Sequence, residues 1–318
     1  MINKNKVILI TWASWFVWSN LVRTLVNNWY NNINILARES SNFWRIKDIL
    51  NKINISNISL LDNQKLNKYI NNLKPNIIYH LAAAWANIWR DWRWIIEIFE
   101  QNTIWTINLI NACKEVWFEY FINTWSSSEY GEKNTPMNEN DILEPNNEYW
   151  VSKASASMYA NFIWKKYNLP IYTFRLFAVY WYFEDKKRLI PTLILNYINW
   201  QSPNLTNPNS VRDYIFIDDV VNYYLNIDKL SWDFWWIYNL WNWIQYSIWE
   251  IVEIIKKISN SDISPNYWIE QAKQNEPKIW MSNNQKTNNK FWLNNISIEE
   301  WLKKSYKWYK ENLEFYKH

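Results

Sequence analysis

Glycine is almost missing: the 318 residues include 1 glycine and 27 tryptophans, whereas about 7% glycine is usual in soluble proteins. Such a chain has almost no residue at ease with a positive φ and almost no place where backbone can approach a ligand unobstructed. Tryptophan and glycine together make up roughly 9% of the residues, a near-normal glycine content if nearly all the tryptophans are misread glycines. The expectation is that UGA codons meaning glycine, as in some bacterial lineages, have been written as tryptophan. The bias toward Asn, Ile and Lys suits the AT-rich genome in which such recoding is plausible. Trp44, in SNFWRI, is the best candidate for a genuine tryptophan.

Other shortages exclude whole classes of chemistry. Cys113 is the only cysteine, which rules out an intramolecular disulfide and a cysteine-based zinc site and fits a reducing cytoplasm. His80 and His318 are the only histidines, so neither a His-ligated metal centre nor a Ser-His-Asp triad is expected. The net charge is +4 with no basic block, which gives a nucleic-acid partner no support. No apolar run reaches the roughly 18 residues of a membrane span, and Val7 to Ile10 is too short for a signal sequence. Together with a mean hydropathy of −0.43, this describes a soluble, metal-free, cytoplasmic protein.

What is present is alternation. Strand-like runs at Val7 to Ile10, Ile33 to Leu36, Ile58 to Leu61, Ile77 to Leu81, Tyr120 to Asn123 and Ile171 to Leu176 interleave with helix-like segments. The helices are expected at Ser14 to Asn27, Asn63 to Asn72, Ile95 to Val116, Tyr149 to Lys166, Trp249 to Ile258 and Ile298 to Asn312. That order predicts an α/β fold, a doubly wound parallel sheet of Rossmann type wrapped by helices. From Lys186 onward the alternation loosens around Pro191, Pro203, Pro208 and Pro265, and a smaller substrate-binding α/β domain is expected there. The boundaries read as 1–176 with about 213–240 for the main domain, and about 177–212 with 241–318 for the second.

The first strand runs into TWASWFVWS and then an apolar-periodic helix, the strand, turn and helix that open a dinucleotide-binding unit. Trp12, Trp15 and Trp18 take the three glycine positions of a GxxGxxG loop. Glycine there makes the tight turn, lets backbone N–H groups approach a pyrophosphate, and lets helix pack on strand. An indole at any of the three would fill the phosphate site. With the recoding, Trp12, Ser14, Trp15, Phe16, Val17 and Trp18 form the cofactor loop.

The catalytic signal is Tyr149 and Lys153 in YWVSK, with Ser126 upstream in NTWSSSEYG. Residues four apart share a helix face, so the ammonium can sit near the phenol. A nearby cation lowers a tyrosine pKa from about 10 and makes the residue a usable general base. Ser126 is placed to hydrogen-bond the reacting oxygen.

With tryptophan read as glycine, the chain resembles the extended short-chain dehydrogenases/reductases of the nucleotide-sugar epimerase/dehydratase family over nearly its whole length. The matching stretches are TWASWFVWS, HLAAA from His80, NTIWTINLI from Asn102, SSSEYG, YWVSK, RLFAVYWYF from Arg175, SVRDYIFIDDV and YNLWNW from Tyr238. The resemblance implies a bound nicotinamide dinucleotide and a nucleoside-diphosphate-sugar substrate. It gives Tyr149 the proton transfer, Lys153 the nicotinamide ribose and Ser126 the sugar oxygen. Leu81, Ala82 and Ala83 would line the adenine side, with Asn102 also counted among the cofactor contacts and His80 structural. Many relatives dimerise through two helices per subunit, so a homodimer through the Ile95 to Val116 and Tyr149 to Lys166 helices is expected.

Relatives preferring NAD carry an acid after the second strand, where this chain has Ala37 and Arg38. A guanidinium there suits a 2′-phosphate, which favours NADP, with NAD the alternative if Glu39 serves the ribose. Arg212 in SVRDY matches the family position that meets the diphosphate, and Asp213 and Asp219 are read as structural. Two departures bear on the substrate: Ala178 replaces an Asn that holds the sugar in many relatives, and Tyr182 stands where Pro is usual. Ser127 and Ser128 occupy the Asp-Glu positions of 4,6-dehydratases, which weakens the elimination reading because a departing hydroxyl needs an acid. Ser127 and Ala178 remain substrate-side positions beside Arg212. A 4-keto-(deoxy)sugar-nucleotide reductase or synthase is favoured, a 4-epimerase follows, and a non-catalytic NADP sensor is the alternative from another class.

Overall fold

The computed structural model describes residues 2–11, 16–83, 92–180, 182–230, 236–241, 244–269, 278–283, 285–292 and 296–316. The chain begins with β1 (Ile8–Thr11), α1 (Phe16–Asn27), β2 (Ile33–Ala37), a 3-10 segment at Trp44–Lys52, β3 (Asn54–Asn57), α2 (Asn63–Leu73) and β4 (Ile77–His80). Next come α3 (Trp92–Phe99), a π-helical turn at Glu100–Ile104, α4 (Trp105–Cys113), β5 (Tyr120–Ser126), α5 (Glu148–Tyr167) and β6 (Ile171–Leu176). The remaining elements are β7 (Ala178–Tyr180), α6 (Leu189–Ile198), β8 (Val211–Phe216), α7 (Ile217–Leu225), β9 (Ile237–Leu240) and β10 (Gln245–Ser247), followed by α8 (Ile248–Ser259), α9 (Gln285–Phe291) and α10 (Ile298–Glu311).

The strands β3-β2-β1-β4-β5-β6-β9 form one sheet in that order, with every pairing parallel. Helices cover its faces, so β1, β2, β4 and β6 are buried along their whole length and read as largely apolar runs without alternation. Strand order reverses between β1 and β4, and ligands of such sheets bind beyond the carboxyl ends of the strands at that point. On one face Leu9, Ile78 and Phe121 meet Leu66, Ile70, Leu109 and Ile110.

The chain divides into two compact units. One comprises Met1–Gly131, Glu139–Leu176 and Val221–Leu240; the other Glu132–Asn138, Phe177–Val220 and Trp241–His318. Against the sequence boundaries, 132–138 and 213–220 fall with the second unit. The physical reason for 213–216 is that β8 pairs with β7 and β10 in that unit's own three-stranded sheet. The third strand is also displaced from the expected Ile58 to Leu61 to Asn54–Asn57. It is a mostly exposed edge strand of polar sequence, NISN, joined to β2 by the ladder and by Asn54 Nδ2 donating to Asn34 Oδ1 at 3.2 Å. The expected long helix 95–116 is interrupted by the π turn.

Helix ends carry an anomaly. Among the described residues, the non-glycine positions with positive φ are Trp29, Lys74, Asn168, Phe183, Trp200, Asn260, Trp268 and Trp292. Asn168 and Asn260 are the C-caps of α5 and α8, and Asn is an ordinary occupant of that conformation. Tryptophan is not, since a bulky residue at positive φ is an outlier. After α1, Tyr30 N–H donates to Leu25 O and Trp29 N–H to Val26 O, both at 3.1 Å. After α6, Gln201 N–H donates to Asn196 O at 2.9 Å and Trp200 N–H to Tyr197 O at 3.3 Å. Both are Schellman motifs with tryptophan at the position that glycine usually fills.

Candidate active site

Of the residues expected on the cofactor side, Phe16, Val17, Trp18, Arg38, Leu81, Ala82 and Ala83 follow the carboxyl ends of β1, β2 and β4. Trp12, Ser14 and Trp15 lie outside the described residues. Phe16, Val17 and Trp18 form the first turn of α1 and are buried, and that turn carries no acid to compete with an anion. Arg38 follows β2 at once, is exposed, and its N–H donates to Ser41 Oγ at 3.0 Å. Leu81 and Ala82 follow β4, are buried, and give their N–H groups to Thr11 Oγ1, each at 3.1 Å. Ala83 beside them is half-buried. Asn102 lies deeper, fully buried in the π turn, with Nδ2 donating to Ser152 Oγ at 2.8 Å.

The three catalytic candidates come from β5 and α5, which pack on each other. Ser126 ends β5, and its Oγ accepts from Ser128 Oγ at 2.7 Å and Ser128 N–H at 3.2 Å. Ser127 is buried in the next turn. Asn147 caps α5 by accepting from Trp150 N–H, which fixes the helix start just ahead of Tyr149. One turn later Lys153 is buried, with Nζ 3.7 Å from the Trp125 ring centroid and 5.6 Å from that of Tyr149. Burial pushes its pKa down to about 7, and the Glu129 carboxylate opposes that shift. The Trp125 indole also donates to Lys153 O at 2.5 Å, so it fills the space between β5 and α5.

Sequence reading missed the charged layer beneath. Glu129 Oε2 accepts from Arg175 Nη2 at 3.0 Å and Nε at 3.2 Å, both residues fully buried. The guanidinium lies 4.4 Å from the Tyr130 ring centroid, and Tyr130 OH donates to Asn239 Oδ1 at 2.8 Å. The available signal was Arg175 inside the apolar run IYTFRLF, because a charge in a buried strand demands a partner. Gly131, the sole glycine, closes this turn at φ 73°, where a Cβ would lie 2.0 Å from Glu144 O.

The second unit brings Ala178 and Arg212 together on a cavity of about 230 Å³ that Tyr180, Lys187, Arg188 and Ser210 also line. The hydroxyls of Tyr180 and Ser210 are buried there without a hydrogen-bond partner among the described residues. Arg212 Nη1 donates to Val211 O at 2.6 Å, and its guanidinium lies 5.7 Å from the Trp280 ring centroid. Among the described residues no group of three or more His, Cys, Asp or Glu stands where it could hold a metal, and no helix is long and apolar enough to cross a membrane.

Residues 8–228 match the NAD dependent epimerase/dehydratase family, and the chain belongs to it. The dTDP-D-glucose 4,6-dehydratase of Dictyostelium discoideum is 27% identical over 234 residues, 68% of this chain and 54% of that protein. Among solved structures, UDP-N-acetylglucosamine 4-epimerase from Methanobrevibacter ruminantium M1 in complex with UDP-N-acetylmuramic acid has a TM-score of 0.85 at 23% identity, covering 97% of this chain and 99% of that one. The dTDP-glucose 4,6-dehydratase of Bacillus anthracis str. Ames in complex with NAD has a TM-score of 0.82 at 22% identity, covering 98% of both. The fold is therefore that of the epimerase and dehydratase structures.

Proposed function

We propose that this chain is an NADP-dependent enzyme that reduces 4-keto-(deoxy)sugar nucleotides, and that its working form carries glycine at most of the tryptophan positions. The observation that carries the catalytic reading is Ser126, Tyr149 and Lys153 on adjoining β5 and α5, in the family that residues 8–228 match. Phe16, Val17, Arg38, Leu81, Ala82, Ala83 and Lys153 would hold the dinucleotide, with the 12–18 loop open once its indoles are absent. The bound dinucleotide supplies the hydride. Tyr149 gives the proton to the sugar oxygen, Ser126 hydrogen-bonds that oxygen, and Lys153 holds the ribose and favours the charged form of Tyr149. Arg38 supports NADP over NAD, since no acid stands at the end of β2 and a guanidinium does. Arg212 and Ala178 of the second unit, and Ser127 of the first, are the residues assigned to the substrate, with Arg212 meeting its diphosphate. A ligand would satisfy the buried Tyr180 and Ser210 hydroxyls, which otherwise carry an uncompensated desolvation cost.

Ser127 and Ser128 supply no carboxyl beside Ser126, and Ser128 spends its hydroxyl proton on Ser126, which disfavours a dehydratase. A 4-epimerase is the second reading, favoured by the 4-epimerase among the structural relatives. The glycine form is supported by the tryptophans at positive φ. A homodimer is supported by a stripe on α5, where Val151, Met158 and Phe162 are exposed along one face, and by exposed Ile96 and Ile104 on the neighbouring helical run.

The deciding experiment incubates the glycine form with NADPH and a nucleoside-diphosphate 4-keto-6-deoxysugar. Stoichiometric NADPH consumption supports the reductase. Interconversion of a nucleotide-sugar pair without net cofactor use replaces it with the epimerase. Peptide masses of the protein from its own source over Thr11 to Arg23 decide the recoding, and tryptophan at Trp12, Trp15 and Trp18 would sink both the cofactor loop and the enzyme reading.

A further inference from the structure

A line of buried hydrogen bonds crosses the first unit, and the supply of protons fixes its direction. Thr11 Oγ1 accepts from Leu81 N–H and Ala82 N–H. With both lone pairs occupied, its own proton goes to Nδ1 of His80, 3.0 Å away. Nδ1 is then an acceptor, so the imidazole proton sits on Nε2 and is donated to Thr106 Oγ1 at 3.0 Å. Thr106 donates onward to Asn102 O at 2.6 Å, Asn102 Nδ2 to Ser152 Oγ, and Ser152 Oγ to the main-chain oxygen of Tyr149 at 2.8 Å. Thr103 Oγ1 adds a bond to Ser152 O at 2.9 Å. The π turn thus lays two consecutive residues on Ser152, and π turns recur at functional sites. Thr11, His80, Asn102, Thr106 and Ser152 are all buried. From Thr11 to the main-chain oxygen of Asn102 every donor points the same way, the arrangement in which hydrogen bonds strengthen one another, and the Asn102 side-chain amide begins a second run to Ser152 and Tyr149.

We propose that His80, held as its Nε2–H tautomer, is a positioning residue that ties the β1 and β4 ends of the nucleotide crevice to the first turn of α5 and so fixes the backbone of Tyr149. The part concerning catalysis rests on the function proposed above; the tautomer and the line do not. Burial, with the Lys153 ammonium second, pushes the His80 pKa down to about 3. Its other neighbours from β1, α4 and β5 are Thr11, Thr106, Phe121 and Trp125, none of them charged at neutral pH.

Nitrogen-15 NMR of the imidazoles in the full chain tests the first half, with His318→Gln assigning the only other histidine. The expected spectrum shows His80 protonated on Nε2 alone and unchanged from pH 8 to pH 5. A His80 protonated on Nδ1, or one that titrates in that range, overturns the inference whatever the enzyme does. For the second half, Thr106→Val and Ser152→Ala should each lower kcat by about tenfold with KM held, since small misplacements of a reacting group cost that much or more. The double variant should lose no more than either single, and Thr106→Ser should restore kcat. Unchanged kcat in both singles, or fully additive losses, overturns the positioning role. Should Thr106→Val not fold, Ser152→Ala and Thr106→Ser carry the test, because the first alone must lower kcat and the second alone must not.

Discussion

Alanine and glycine should rank in opposite order at two kinds of tryptophan. Trp29, Trp200, Trp268 and Trp292 hold φ between 50° and 65°, and all four side chains are largely exposed. Comparing Trp→Gly with Trp→Ala at one site removes the indole from both variants and leaves only the backbone. In a left-handed conformation Ala carries about 1–2 kcal/mol of steric strain that Gly lacks. The greater freedom of Gly in the unfolded chain returns about 0.4–1 kcal/mol. The net is about 0.5–1 kcal/mol in favour of Gly per site, and on the order of 2–4 kcal/mol for all four if separated sites add. At Trp164, inside α5, the order should invert, with Gly about 1 kcal/mol worse than Ala. Urea unfolding of the intact chain reads the difference as a shift in midpoint at constant slope. Trp29 reports on the first unit and the other three on the second. Alanine equal to or better than glycine at Trp29 and Trp200 would refute the Schellman assignment and remove the conformational support for recoding.

Four further outcomes follow from the geometry. Tyr149→Phe should cut turnover by about 10²–10⁴-fold while NADPH affinity, followed by fluorescence titration, stays within a factor of two or so. Arg38→Ala should raise KM for NADPH about tenfold, a loss of about 1.4 kcal/mol, and leave NADH kinetics unchanged; equal effects on both would assign Arg38 to something other than a 2′-phosphate. Arg175→Met should cost about 3–5 kcal/mol in chemical denaturation by stranding the Glu129 charge, and Arg175→Met with Glu129→Leu should recover most of it. Burial, then Asp218, raises the Asp219 pKa to about 7, above an unfolded value near 3.9. The folded chain therefore holds that proton more tightly, and the stability it lends is lost as pH rises from about 4 through 7. Asp219→Asn should raise the melting temperature more at pH 8 than at pH 4.5.

The first half of the fold was legible because its strands are buried on both faces and carry runs such as ILI and IIY that nothing else explains. β3 was not, because an exposed edge strand needs no apolar run, while the apolar stretch after it turns to bury Leu60. The second unit was less legible still, since β7 and β10 span three residues each and give no periodicity to count. Of the candidate site, Tyr149 and Lys153 stood out through their spacing only in combination with the upstream loop pattern and Ser126, and the two lie one turn apart on α5. The Glu129–Arg175 pair joins side chains from two elements distant in sequence and the His80 line joins them from five, which no local pattern records. Trp308 shows the converse of the capping tryptophans: its ring packs against Tyr182, Phe183, Tyr309 and Phe315, surroundings that suit a genuine indole better than a glycine.

The order in which the sheet is completed has a consequence for synthesis. β6 leaves the ribosome with its outer edge bare, and its partner β9 is made only after the whole excursion from Phe177 to Val220. Until then the nascent sheet presents a buried-type strand of sequence IYTFRL with an unpaired row of backbone donors and acceptors, an open template for another chain. A ribosome that pauses between 177 and 236 would thus release or display an aggregation-prone intermediate, and a chain cut at 176 would keep that exposed edge permanently.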